Sequence, residues 1–258
     1  MRVTILGCGG SSGVPLIGNR WGACDATNPK NRRRRASILV EHADTIILID
    51  TAPDLREQLI DALVTRIDAV LYTHDHADHC HGLDDLREIN RMMLGPVPVY
   101  GLAETMDLLR QRFPYCFDPI KSGDYHYRPD LRAYTITGID PFQIGSLKVI
   151  PFLQDHGFSR TLGYRFGNFA YSTDVLRLDE AAFTALDGIT TWVVDCVREE
   201  PHPVHSHLDN TLDWVKRVTP LRTWLTHMSN SLDYETMRRQ LPMGIEPAYD
   251  GLEIFIED

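Results

Sequence analysis

The chain has 258 residues, with 26 Lys and Arg against 36 Asp and Glu and a formal net charge of −10. The length allows a full hydrophobic core, and the acidic balance argues against general polyanion binding while leaving room for a small phosphorylated ligand in a local basic pocket. Five scattered cysteines, Cys8, Cys24, Cys80, Cys116 and Cys196, form no C-x-x-C pair, a pattern that fits a reducing cytoplasm better than a disulfide framework.

In chain order, residues 3–6 form a short apolar run that ends in Gly7-Cys8-Gly9-Gly10-Ser11-Ser12-Gly13-Val14-Pro15, a strand delivered into a flexible turn. A dinucleotide loop is excluded, because a G-x-G-x-x-G frame from Gly7 puts Ser12 at the third glycine and Val14-Pro15 then resists helix initiation. The opening is strand-like rather than leader-like, and no apolar run approaches the ~20 residues of a membrane span, so a cytoplasmic protein without membrane contact is expected. The run Arg32-Arg33-Arg34-Arg35 is expected to be a solvated loop, with phosphate contact as the alternative reading.

Residues 37–41 and 45–50 read as a hairpin whose second strand, Thr45-Ile46-Ile47-Leu48-Ile49-Asp50, ends in a carboxylate. A helix over 53–64 and a strand over 67–72 follow, which suggests an α/β layer. Helical patterns return at 82–93 and 102–112 around an extended 96–100, and the less regular 113–130 reads as a lid. Strands are predicted over 131–137, 142–152, 161–166, 168–173, 189–194 and 222–226, with helices over 208–217 and 232–241. Again and again an apolar strand stops at a polar residue, at Asp50, His74, His156, Asp174, Asp195 and His227, as expected of a site built along one edge of a sheet. The motifs run from end to end, so residues 1–258 are read as one domain.

The richest stretch is Tyr72-Thr73-His74-Asp75-His76-Ala77-Asp78-His79. His74 and His76, two apart on an extended strand end, project to the same side, whereas Asp78 and His79 diverge at a helix start. One segment can thus serve two metal ions, and imidazole and carboxylate without thiolate suit Zn, Mn or Fe(II). His156, Asp174 and His227 complete the set. His74, His76 and His156 would hold one ion, Asp78, His79 and His227 the other, with Asp174 shared. A two-metal site makes hydrolysis the economical chemistry.

The chain resembles the metallo-β-lactamase fold hydrolases, whose H-x-H-x-D-H signature stands here as His74-Asp75-His76-Ala77-Asp78-His79, followed in order by His156, Asp174 and His227. With Gly7-x-Gly9 through Gly13-Val14-Pro15 at one end and Tyr249-Asp250-Gly251-Leu252-Glu253-Ile254 at the other, it looks most like the branch containing PhnP, the phosphoribosyl cyclic phosphodiesterase of phosphonate breakdown. The resemblance implies a four-layer αβ/βα sandwich, two divalent ions (Mn or Zn) and phosphodiesterase activity on a small phosphorylated substrate. A homodimer is among the expectations.

In that branch a His between the bridging Asp and the last His protonates the leaving alkoxide, a task that suits imidazole near neutral pH. In Pro201-His202-Pro203-Val204-His205-Ser206-His207, His207 is the expected general acid, with His205 next and on the substrate side. Asp78 counts with His207 as catalytic. Asp50 and Asp250 are expected to orient ligand imidazoles, and Arg160 to contact phosphate. The branch also carries a structural zinc on N-terminal cysteines and a His three residues past the last active-site His; here only Cys24 and Asn230 stand there, so that ion is not expected. Alternatives are ribonuclease Z-like RNA processing, a glyoxalase II-like thioesterase, and a non-catalytic metal- or nucleotide-binding protein.

Overall fold

The computed structural model describes residues 1–118, 120 and 127–257. Of the 113–130 stretch predicted as a lid, residues 119 and 121–126 fall outside the described residues, and Pro114–Phe117 is a short helix. No described helix is long and apolar enough to cross a membrane.

Among the described residues the strands assort into two seven-stranded mixed sheets. The first takes β1 (Arg2–Gly7), β2 (Ser37–His42), β3 (Thr45–Ile49), β4 (Ala69–Leu71), β5 (Val97–Leu102) and β6 (Leu131–Ile136). The second takes β7 (Phe142–Ile144), β8 (Leu147–Asp155), β9 (Arg160–Phe166), β10 (Phe169–Ser172), β11 (Thr191–Asp195), β12 (Arg222–Thr226) and β13 (Ile245–Pro247). The last strand, β14 (Glu253–Phe255), returns to the first sheet and pairs antiparallel with β1, Val3 opposite Ile254. Both sheets change from antiparallel to parallel pairing partway across: β3, β4, β5 and β6 run parallel in one, β10, β11, β12 and β13 in the other.

Alternation along the strands explains the layers. Ile47 and Ile49 of β3 join Val3, Ile5, Ile38 and Val40 in a core shared with Leu162, Tyr164, Phe166 and Trp192 of the second sheet. Leu48, between them, faces the other way, with Leu39 and Val70, into a cluster with Leu55 and Leu59 of α1 (Leu55–Asp61). The same outer cluster takes Cys80 of α2 (Ala77–Cys80), Leu86 and Ile89 of α3 (Leu86–Met93), Met106 and Leu109 of α4 (Ala103–Arg112) and Cys116 of α5 (Pro114–Phe117). Period-two strands buried on both faces thus yield helix, sheet, sheet, helix. Helices α6 (Glu180–Leu186), α7 (Leu208–Val218) and α8 (Tyr234–Gln240) belong to the second half, packing Ala182, Val215 and Met237 into the shared core.

Two predicted elements differ. The strand expected over 142–152 is a hairpin, because Gly145 adopts φ 52 and turns β7 back onto β8. The Arg run is not a solvated loop. Arg33 is 2% exposed, Arg34 pairs with Asp61, and Arg35 sits 3.0 Å from Asp54. Backbone pairing of Val14 with Arg33 and of Gly9 with Arg34 draws the run inward, against the Gly-rich turn.

Candidate metal centre

The strand-terminal residues converge because the parallel strands of both sheets end at one edge of the sandwich. Asp50 follows β3, His74 follows β4 after Tyr72 and Thr73, His156 follows β8, Asp174 follows β10, and His227 follows β12. Two hydrogen bonds close the sandwich beneath them, from Tyr164 Oη to the Tyr72 carbonyl at 2.7 Å and from the Leu162 N–H to the Thr73 carbonyl at 2.9 Å.

Three donor groups result among the described residues: two share Asp174, namely His74, His76, His156 and Asp174, and Asp78, His79, Asp174 and His227, and a third, Asp195, His205 and His227, shares His227 with the second, each with its ligand atoms within 4.8 Å of one another. Asp174 divides its oxygens between the first two. Its Oδ1 lies 3.8 Å from the Nε2 atoms of both His74 and His156, and its Oδ2 lies 3.0 Å from His79 Nε2 and 3.4 Å from His227 Nε2. Asp78 Oδ2 closes the second cluster, 3.4 Å from His79 Nε2 and 3.5 Å from His227 Nε2. These spacings bracket two points at which a cation would be ringed by imidazole nitrogens and carboxylate oxygens.

The electrostatics fit cations there. Burial pushes the His74 and His156 imidazoles toward the neutral form that ligates metal. Asp174 and Asp78 are held well below the usual carboxylate range: burial opposes this, and the surrounding imidazoles outweigh it. His79 is driven well up, since Asp174, Asp78 and Asp50 together overcome its burial. The Nε2 atoms of His74 and His79 are buried without a hydrogen-bond partner, which is costly unless an ion takes the lone pair. The donor set, imidazole and carboxylate without thiolate, fits a pair of divalent ions.

Three of the four buried imidazoles of the two clusters that share Asp174 are oriented through their other nitrogen. His79 Nδ1 pairs with Asp50 Oδ2 at 2.7 Å, His156 Nδ1 with the Val204 carbonyl at 2.7 Å, and His74 Nδ1 with Thr73 Oγ1 at 3.0 Å. Asp50 also accepts from Thr73 N and Oγ1, both at 2.8 Å. Asp50 therefore stands where the sequence suggested.

Asp250 does not: it accepts from the backbone N–H groups of Cys8 (3.1 Å) and Arg34 (2.7 Å). Its task is to tether the Gly-rich turn, and burial lifts its pKa to about 6. Arg160 is exposed and paired with Glu104 at 3.2 Å. Cys24 Sγ lies 3.9 Å from Arg33 Nη1, and all five cysteines are free and buried.

Of the two candidate histidines in the 201–207 stretch, the structure brings His205 against the clusters. His207 caps the start of α7 in extended backbone, its carbonyl accepting from Thr211. The His205 ring stacks on His227 at 4.6 Å, and its Nε2 is 3.8 Å from Asp174 Oδ1. Its Nδ1 meets Asp195 Oδ2 at 3.0 Å, and Asp195 also accepts from Val175 N. Against burial, which lowers it, the Asp195 carboxylate raises the His205 pKa to about 9. Asp195 was visible in the sequence as a strand-terminal carboxylate, but nothing there paired it with a histidine. Beside His205 a cavity of about 170 Å³ is lined by Gly10, Ser11, Ser12, His202, Ser229 and Asn230. A second, of about 420 Å³, reaches Asp78 and is lined by Ser11, Ser12, Arg20 and Arg35.

Residues 45–228 match the family described as the β-lactamase superfamily domain. The octanoyltransferase of Porphyromonas gingivalis (strain ATCC BAA-308 / W83) is 32% identical over 261 residues, covering 100% of this chain and 52% of its own length. The chain therefore spans about half of that relative. The anti-Pycsar protein Apyc1 of Paenibacillus harenae is 29% identical over 76% of this chain and 84% of its own. Among solved structures, a new diphosphatase from the PhnP family superposes with a TM-score of 0.90 at 36% identity, covering 98% of this chain and 97% of that one. The chain belongs to the β-lactamase superfamily, among the proteins that resemble the PhnP family.

Proposed function

We propose that the chain is a metal-dependent phosphodiesterase acting on a small phosphodiester, cyclic phosphate or diphosphate, with His205 as general acid. The observation that carries this reading is the His205–Asp195 pair facing the shared carboxylate of the double cluster. When bound, two divalent ions, Mn or Zn, supply Lewis acidity that lowers the pKa of water and stabilises charge on phosphoryl oxygens.

The chain's own groups supply the rest. Asp174 and Asp78 place negative charge between the two histidine sets, Asp50 fixes the tautomer of His79, and Asp195 holds the His205 proton on the cleft side. An alkoxide is a poor leaving group and needs that proton; Nε2 of His205, turned toward Asp174, delivers it. The two cavities offer serine hydroxyls and the Arg20 and Arg35 side chains to phosphate oxygens. A thiolate leaves without protonation, so a thioesterase gives the His205–Asp195 pair no task. The net charge of −10 fits a small substrate better than an RNA.

Metal analysis followed by a substrate panel tests the reading. The panel holds a chromogenic phosphodiester, cyclic ribose phosphates, a diphosphate-linked nucleotide, an RNA precursor and a thioester. Turnover of one of the first three with metal present is expected; turnover of the thioester alone would refute it.

A further inference from the structure

His227 differs from the other buried imidazoles of the centre. Its Nδ1 is buried and makes no hydrogen bond, lying 3.9 Å from Asp195 Oδ1. Nε2 faces the Asp78 and Asp174 carboxylates of its own cluster, so no acceptor outside the cluster fixes the ring, and its direction depends on the backbone. That backbone is left-handed, at φ 57, a conformation that costs a non-glycine residue about 1 kcal/mol or more and persists only where neighbours impose it.

The neighbours are on the following loop. Met228 N donates to the Cys8 carbonyl at 2.9 Å, the Met228 carbonyl accepts from Gly10 N at 3.2 Å, and Ser229 N donates to the Val197 carbonyl at 3.0 Å. The next carbonyls are gathered by one side chain. Arg33 Nη1 donates to the Ser229 carbonyl at 2.9 Å, and Arg33 Nη2 to the Leu232 carbonyl at 2.7 Å and to Asn31 Oδ1 at 3.3 Å. Arg33 is 2% exposed and has no carboxylate among these partners, a rare setting for a cation that never loses its charge. Its planar fork spans two carbonyls three residues apart, a span that a single ammonium cannot reproduce.

We propose that Arg33 is a positioning residue that holds His227 in its cluster by clamping the Ser229 and Leu232 carbonyls. It acts on the cluster of Asp78, His79, Asp174 and His227, and leaves that of His74, His76 and His156 alone. The inference rests on the two-ion reading, and its test is separable from that reading because it counts ions without substrate.

Metal-free protein is titrated with Zn²⁺ by calorimetry in two backgrounds. In His76→Ala the remaining intact cluster contains His227, and adding Arg33→Met is expected to weaken Zn²⁺ by about 10–100-fold, the usual effect of losing an orienting partner. In Asp78→Ala the other cluster remains, and Arg33→Met is expected to leave its affinity unchanged. Equal weakening in both backgrounds, or none in the first, overturns the proposal. If circular dichroism shows that Arg33→Met does not fold, Arg33→Lys carries the same titrations: it keeps the charge and loses the fork. Selective weakening supports the clamp, while wild-type binding by Arg33→Lys, or unfolding of both variants, overturns it. Failure of the unsubstituted protein to bind two Zn²⁺ would refute the two-ion reading instead.

Discussion

Replacing Asp195 by Asn isolates the contribution of one carboxylate to the proton donation proposed for His205. The two side chains have nearly the same shape, and the Asn amide oxygen can still accept from Val175 N, as Asp195 Oδ2 does at 3.0 Å. What disappears is the negative charge 3.0 Å from His205 Nδ1. Burial draws the His205 pKa down, yet Asp195, as charge and as acceptor, with help from Asp174, carries it from 6.5 to about 9. With the ring only 11% exposed, that rise corresponds to about 3 kcal/mol in favour of imidazolium.

Without Asp195 the His205 pKa is expected to fall to about 6.5 or below. At about pH 8 the protonated fraction then drops from about 90% to about 3%, a loss of about 30-fold in kcat/KM, whereas at about pH 6 the two proteins differ by less than about twofold. Bound cations would move both pKa values, and with them the pH window, downward, without changing which protein loses its proton first. The assay is kcat/KM on an unactivated alkyl phosphodiester from about pH 5.5 to about pH 9. A loss that is the same at both ends, or a basic limb that does not move, would refute the role of the pair.

Other substitutions test neighbouring claims. His205→Ala should cost about 10²–10⁴ in kcat on an alkyl ester and less than about tenfold on a nitrophenyl ester, whose leaving group needs no proton, while His207→Ala should stay within about twofold on both; the reverse pattern would restore His207. Asp50→Ala removes the acceptor of His79 Nδ1 at 2.7 Å and should weaken metal binding about 10–100-fold in a chelator competition. Gly163→Ala would place a Cβ 2.3 Å from the Phe152 ring and 2.7 Å from Gln154 Oε1, and should lower stability by about 1–3 kcal/mol in urea unfolding. An unchanged midpoint would show that the β8–β9 pair yields more readily than its packing implies.

Much of this site was legible because parallel strands buried on both faces read as unbroken apolar runs, so the polar residue that ends each run stands out. Asp50, His74, Asp174 and His227 were found that way, and the structure gathers them at one edge. The choice between His205 and His207 was not legible. Both occupy one loop, and it takes the folded chain to bring the His205 ring against His227 while the His207 backbone bridges to Arg198. Asp250 misled for a related reason: a carboxylate near a strand end serves backbone N–H groups as readily as imidazoles, and its partners lie 216 and 242 residues away. Arg33 was hidden by composition, since an arginine run reads as a solvated face unless carbonyl acceptors distant in sequence are known.

Three residues of the centre share a backbone feature that ties it to the whole fold. Asp50, Asp174 and His227 are left-handed, at φ 63, 52 and 57, each just past the end of a strand. Extended backbone would carry the next side chain along the strand; the left-handed residue turns the chain while its side chain stays over the sheet edge. Strain of about 1–3 kcal/mol at each such residue must be imposed from outside. Asp50 is fixed by its N–H on the Leu71 carbonyl and by its carboxylate on Thr73, while the Asp174 carbonyl accepts from Thr161 Oγ1 across to β9. His227 depends on loops that begin at Cys8 and Arg33. Each constraint crosses to another strand or loop, and the Tyr164–Tyr72 and Leu162–Thr73 bonds join the two sheets beneath them. A signature of six residues therefore acquires its geometry only when both sheets have closed, which places donors from His74 to His227 around the same two points.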